Sequence, residues 1–147
     1  MMEQAVRPLS VADTGAVAAL ERDARAALAD QRGGPLHLAE VAAVGDWATA
    51  LSAPDRLVWV GTIDEVVVGY LELGIFGPTA EVVQVYVDPQ ARELGFGDWL
   101  LEAAVAAARQ RGCAVIEGTA LPGDRDTKNL YERAGIKARK ITVSKPL

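Results

Sequence analysis

Residues 81–111, EVVQVYVDPQARELGFGDWLLEAAVAAARQR, constrain the fold of this chain more than any other stretch, because they read strand, loop, glycine turn and helix without a break. Residues 82–87 form a β-branched and aromatic run. Asp88-Pro89 ends it, since proline cannot donate to a sheet ladder and restrains the residue before it. Gly95 and Gly97 then open a helix. Asp98, Glu102 and Arg109 fall on one side of it and Leu101, Ala104, Val105 and Ala108 on another, so one face packs and the other is wet. Such a helix start carries unpaired N–H groups at the positive end of the macrodipole, and glycines let an anion approach them closely. Arg92, three residues before Gly95, adds planar donors suited to phosphate. A lone Gly-x-Gly is also common in plain turns, with a solvated arginine nearby.

The surroundings point further. The spacing Arg92-x-x-Gly95-x-Gly97, after a strand ending in Val85-x-Val87-x-Pro89, resembles the acyl-CoA signature of the GNAT N-acetyltransferase superfamily. A dinucleotide fingerprint fits worse, because it needs a third glycine where Leu100 stands and a tight turn where residues 88–94 intervene. A Walker-type loop lacks its Gly-Lys-Ser/Thr. Residues 124–136, DRDTKNLYERAGI, resemble a second family segment, with Leu130, Tyr131, Glu132 and Gly135 in register. Asp124 replaces the usual asparagine, Thr127 an alanine and Ile136 an aromatic.

The resemblance implies a single α/β (α+β) domain over residues 1–147, with a mixed, mostly antiparallel central sheet flanked by helices. It implies acetyl-CoA as acyl donor and transfer to a primary amine by direct attack in a ternary complex. By the same resemblance, Arg92, Leu94, Gly95, Phe96 and Gly97 hold the diphosphate, and Val85 and Val87 align pantetheine. A backbone N–H of that strand meets the thioester oxyanion, beside a local bulge. Tyr131 assists the departing thiol. An alkylammonium must lose a proton before it attacks, and Glu81, four residues before Val85, stands where some members place the base, often acting through water. Free-standing readings remain for both: a tyrosine packed between helix and sheet, and an exposed glutamate at a strand start. The acceptor class, small molecule or peptide, is open. Final strands of the superfamily often meet in homodimers.

Composition narrows the alternatives. A chain of 147 residues suits one domain with one core. The N-terminus MMEQAVRPLS lacks a basic region followed by a hydrophobic stretch, and no apolar run has membrane length, so a cytoplasmic protein without a membrane partner is expected. Net charge is −5, which argues against nucleic acid as a partner held by a general positive field. Residues 1–80 carry −6 and residues 81–147 carry +1, which suits an anionic donor on the second half. No metal is called for. Cys113 stands alone at the start of an apolar strand and reads as a buried thiol.

Along the chain, residues 5–9 read as a short strand and Ser10 as the cap of a helix, with Asp13 in a capping-box position. Val17, Leu20, Ala24, Ala27 and Leu28 recur at helical spacing until Arg32-Gly33-Gly34-Pro35 breaks it. Residues 36–51 form a less regular helical segment holding His37, the lone histidine, which reads as a loop or structural residue rather than a base. Strands follow at 57–62, 66–76 and 82–87 as an antiparallel meander. After the glycine-opened helix come a strand at 113–119, a helix at 125–134 capped by Gly135, and a last strand at 136–143. The expected order is β-α-α-βββ-α-β-α-β. Two other functions remain compatible: a non-catalytic acyl-CoA-binding sensor or partner module, which needs Arg92 and the glycines but not Glu81 or Tyr131, and a plain nucleotide binder.

Overall fold

The computed structural model describes residues 2–147. Its backbone is a five-stranded sheet in sequential order: β1 (Gln4–Pro8), β2 (Arg56–Ile63), β3 (Val66–Phe76), β4 (Thr79–Val87) and β5 (Val115–Gly118). The first four pair antiparallel and β5 joins β4 in parallel, because the long helix between them carries the chain back along the sheet. The sheet is mixed and mostly antiparallel, flanked by helices, as the resemblance implied. The meander at 57–62, 66–76 and 82–87 is present, its last strand starting three residues early at Thr79.

Helices cover both faces. On one lie α1 (Thr14–Leu28), α2 (Gly34–Glu40) and α3 (Trp47–Leu51). On the other lies α4 (Phe96–Gln110), joined at its side by α5 (Arg125–Arg133). Under α4, the buried Leu71 and Leu73 of β3 and Ala80 and Val82 of β4 meet Leu100, Leu101, Ala104 and Ala108. Each fully buried leucine contributes about 2 kcal/mol by leaving water. Under α1 and α3, Val17, Leu20 and Trp47 pack on Val58, Val60 and Tyr70. Trp47 meets Tyr70 edge to face, centroids 5.4 Å apart.

One irregularity in β4 decides which side chains face which way. Leu73 pairs with Val82 but Glu72 pairs with Gln84, so Val83 is an extra residue. Strict alternation would put Gln84 on the α4 face with Ala80 and Val82. The bulge instead turns Gln84 and Tyr86 toward α1 and sends Val85 and Val87 to the α4 face.

One expectation is corrected and two are sharpened. The helix expected from Ser10 starts there, with Ser10 at the N-cap and Asp13 in the capping-box position of a 3-10 turn, Val11–Asp13, that leads into α1 at Thr14. There the Asp13 carboxylate accepts from the Ser10 N–H and hydroxyl and from both terminal nitrogens of Arg7. The irregular segment 36–51 resolves into α2 and α3, with His37 on α2. The last strand at 136–143 is not formed. Residues 137–147 are exposed and make no hydrogen bond to the body among the described residues, Ile136 N–H to Tyr131 O being the final one. Its β-forming residues lack a ladder to join, and strand propensity without a partner strand does not hold a strand.

Candidate active site

The parallel pairing of β4 with β5 runs from Thr79 opposite Val115 to Val82 opposite Gly118 and then stops. Residues 83–87 have no partner on that side, and the sheet forks. Two cavities open at the fork. One, of about 810 Å³, is lined by Val85, Tyr86 and Val87, by Arg92, Gly95, Phe96 and Gly97 at the start of α4, and by Arg125, Leu130 and Arg133 of α5. The other, of about 780 Å³, lies toward α1 and α2 and includes His37, Arg56, Tyr70, Glu72, Gln84 and Tyr131. Val85, Tyr86, Asp124 and Thr127 line both. A ligand crossing the fork would touch the two.

The start of α4 sets unpaired backbone amides beside an arginine. Gly95 adopts φ +90°, left-handed backbone that glycine enters at no steric cost, and it precedes the helix directly. The first amides of α4 have no intrahelical acceptor, since the ladder opens with Trp99 N–H to Gly95 O. Arg92 is held in place: its Nε donates to Val87 O at 3.1 Å and its guanidinium lies 5.6 Å from the centre of the Tyr86 ring. Its terminal nitrogens stay available. Phe96 is buried under the sheet, where Gly61 leaves room for its ring, an added Cβ there lying 2.7 Å from Cδ1. Arg133 is clasped by Asp98 of the first α4 turn at 2.9 and 3.3 Å, which ties α5 to the same corner.

Tyr131 is 6% exposed and projects from α5 beneath the end of β5. Burial raises its pKa, helped by the charges of Asp124 and Glu81, so the phenol keeps its proton at any working pH. It can therefore give a proton or hydrogen bond but cannot act as a base near neutrality. Asp124 accepts from Thr127 N–H at 3.0 Å and from the Thr127 hydroxyl at 2.6 Å, capping α5. That cap is why aspartate and threonine can stand together where the family pattern has asparagine and alanine.

Of the residues singled out in the sequence, Val85, Val87, Arg92, Gly95, Phe96 and Gly97 line one cavity together, and Tyr131 lines its neighbour. Leu94 is 45% exposed and lines neither. Glu81 also lines neither, although its charge reaches Tyr131. His37, on α2, lines the second cavity. Sequence reasoning missed Tyr70, Glu72 and Gln84. The signal was there in part: a glutamate inside the otherwise apolar run 66–76 and a glutamine inside the run 82–87. Among the described residues no group of three His, Cys, Asp or Glu side chains gathers, and no helix is long and apolar enough to cross a membrane.

Residues 19–136 match the model of the Acetyltransferase (GNAT) family, which covers most of the chain. The chain belongs to the GNAT family. Solved structures agree with this GNAT fold at low identity. A GCN5-related N-acetyltransferase from Ralstonia eutropha is 23% identical, with 99% of each chain covered and a TM-score of 0.75. The aminoglycoside N-acetyltransferase AAC(6')-Iy, solved with CoA, is 15% identical over 100% of this chain and 96% of that one, at 0.74. A ribosomal-protein-alanine N-acetyltransferase from Escherichia coli is 16% identical over 90% of this chain and 77% of that one, at 0.68. No curated protein matches this GNAT chain in sequence.

Proposed function

We propose that this chain, acting as one domain over residues 1–147, is an acetyl-CoA-dependent N-acetyltransferase that moves an acetyl group to a primary amine by direct attack. The observation that carries the reading is the fork: unpaired strand backbone at 83–87 lies between an amide-rich helix start and a protonated Tyr131. The α4 amides at Gly95, Phe96 and Gly97, with Arg92, hold the diphosphate of the donor. Val85 and Val87 pair their backbone with the pantetheine amides as an added strand would, and a β4 N–H meets the thioester oxygen as charge develops there.

The acceptor enters from the α1 and α2 side. Its ammonium proton leaves through water toward Glu81, which lines neither cavity. The amine lone pair then attacks the carbonyl carbon, the C–S bond breaks, and the thiolate takes a proton from Tyr131. The amine's second proton passes to solvent and a proton from water restores the phenol, leaving amide, free thiol and one released proton. In support, a neighbour solved with CoA, an aminoglycoside N-acetyltransferase, shares the fold.

Calorimetry with CoA and a free-thiol assay of acetyl-CoA over an amine panel test this. Wild type should bind CoA and release thiol with at least one amine. Tyr131→Phe should lower kcat about 10- to 100-fold while CoA affinity stays within about twofold. Tight CoA binding with no turnover for any amine would favour the sensor. Equal competition by ATP or NAD would favour the plain nucleotide binder.

A further inference from the structure

We propose that Gln84 is a positioning residue: its buried amide locks the bulged strand of the fork to the loop at 41–46 that walls the acceptor side. The inference rests on the proposed acetyl-CoA reading of the fork and goes beyond it. Gln84 Nε2 donates to Glu72 Oε1 and to Glu21 Oε2, both at 3.0 Å, and its Oε1 accepts from the Tyr70 hydroxyl at 2.6 Å. Ionised carboxylates only accept and the phenol here donates, so the amide can face one way only.

Each neighbour is anchored in turn. Glu72 is fully buried and ion-paired with Arg56 of β2. Glu21 of α1 is 3% exposed, and its two oxygens accept the backbone N–H groups of Val44 and Gly45 at 2.9 Å each. A continuous hydrogen-bonded path therefore runs from β2 through β3 and β4 to α1 and the loop. At its centre stands Gln84, between the bulged Val83 and Val85, the latter a strand position that lines both cavities.

The bulge is the place in β4 where ladder bonds to β3 are disturbed, so backbone pairing alone does not fix the strand there. The side-chain path supplies that constraint. It also joins two surfaces the reaction must align: β4, where the thioester would lie, and residues Val41, Ala42, Ala43, Val44 and Asp46 of the acceptor wall. An apolar residue at 84 would fill the space but connect nothing, and Glu21 and Glu72 would face one another without a donor between them.

Amide hydrogen exchange at Val44 and Gly45 reads the connection directly. In wild type, saturating CoA should slow exchange there about fivefold or more, as the strand is held and the path carries that restraint to the loop. In Gln84→Leu the slowing should drop below about twofold while CoA affinity changes less than about threefold. If that variant does not fold, Gln84→Asn, too short to span both carboxylates, should give the same loss. Equal slowing in wild type and variant overturns the proposal. So does a Gln84→Leu protein whose ligand-free exchange at Val44 and Gly45 matches wild type, since the clamp then restrains nothing. That second measurement needs no ligand. Failure of wild type to bind CoA in calorimetry, by contrast, overturns the acetyltransferase reading.

Discussion

A single missing methyl group lets Tyr131 stand at the end of β5. An added Cβ at Gly118 would lie 2.5 Å from both Cζ and the hydroxyl oxygen of Tyr131, closer than real Cβ atoms approach anything. Gly118→Ala should therefore displace the phenol without touching the diphosphate end of the cleft. The expected result is a kcat lower by about tenfold or more with CoA affinity nearly unchanged, measured by steady-state kinetics beside calorimetry. Residues whose roles depend on local backbone were readable in advance. Gly95 and Arg92 are of this kind, because a left-handed bend and a helix start are written within a few positions. Glu21, Glu72 and Gln84 were not, since their value lies in partners 12 and 63 positions apart that only the folded sheet brings together.

At the scale of elements, β-branched and aromatic runs between turns marked the β2 to β4 meander and helical spacing marked the packed face of α4, and both formed, β4 from three residues earlier than expected. The bulge had no such mark. Val82 and Val83 are identical in type, so nothing in the letters says which one is extra. The segment at 136–143 failed for a different reason: strand propensity is conditional on a neighbour, and composition does not supply one.

The entry to α1 offers a test of its own. Hydrogen bonding from Arg7, set against burial, holds Asp13 down at about 2, below its ordinary value of 3.8. A folded-state pKa below the unfolded one means the stabilisation is complete above the ordinary value and is lost as pH falls from there through about 2. Arg7 is 39% exposed, so solvent screening reduces the contribution to about 1 kcal/mol. Chemical denaturation of wild type and Asp13→Asn should differ by about that amount at pH 7 and converge by about pH 2. At the start of β2, Arg56→Ala would strip the fully buried Glu72 of its cation, with an expected loss of about 2 kcal/mol in the same measurement.

Across the whole molecule, charge is divided unevenly. The acidic first half carries α1, α2 and α3, while the near-neutral second half carries Arg92 and Arg125 around the helix start. An anion drawn to those arginines should be held less well as salt rises. Calorimetry is expected to show the dissociation constant for CoA increasing a few-fold between about 50 and 500 mM salt, as screening shortens the reach of exposed charges.

The split between β4 and β5 has a further consequence. A sheet that leaves five residues of an inner strand unladdered on one side is incomplete by its own rules, and whatever lies in that gap becomes a rung of the protein. Heating the chain alone and with acetyl-CoA, the proposed donor, should then give two different melts. At a hundredfold excess over the dissociation constant the filled gap adds about 2.7 kcal/mol, and the melting midpoint climbs with the logarithm of donor concentration.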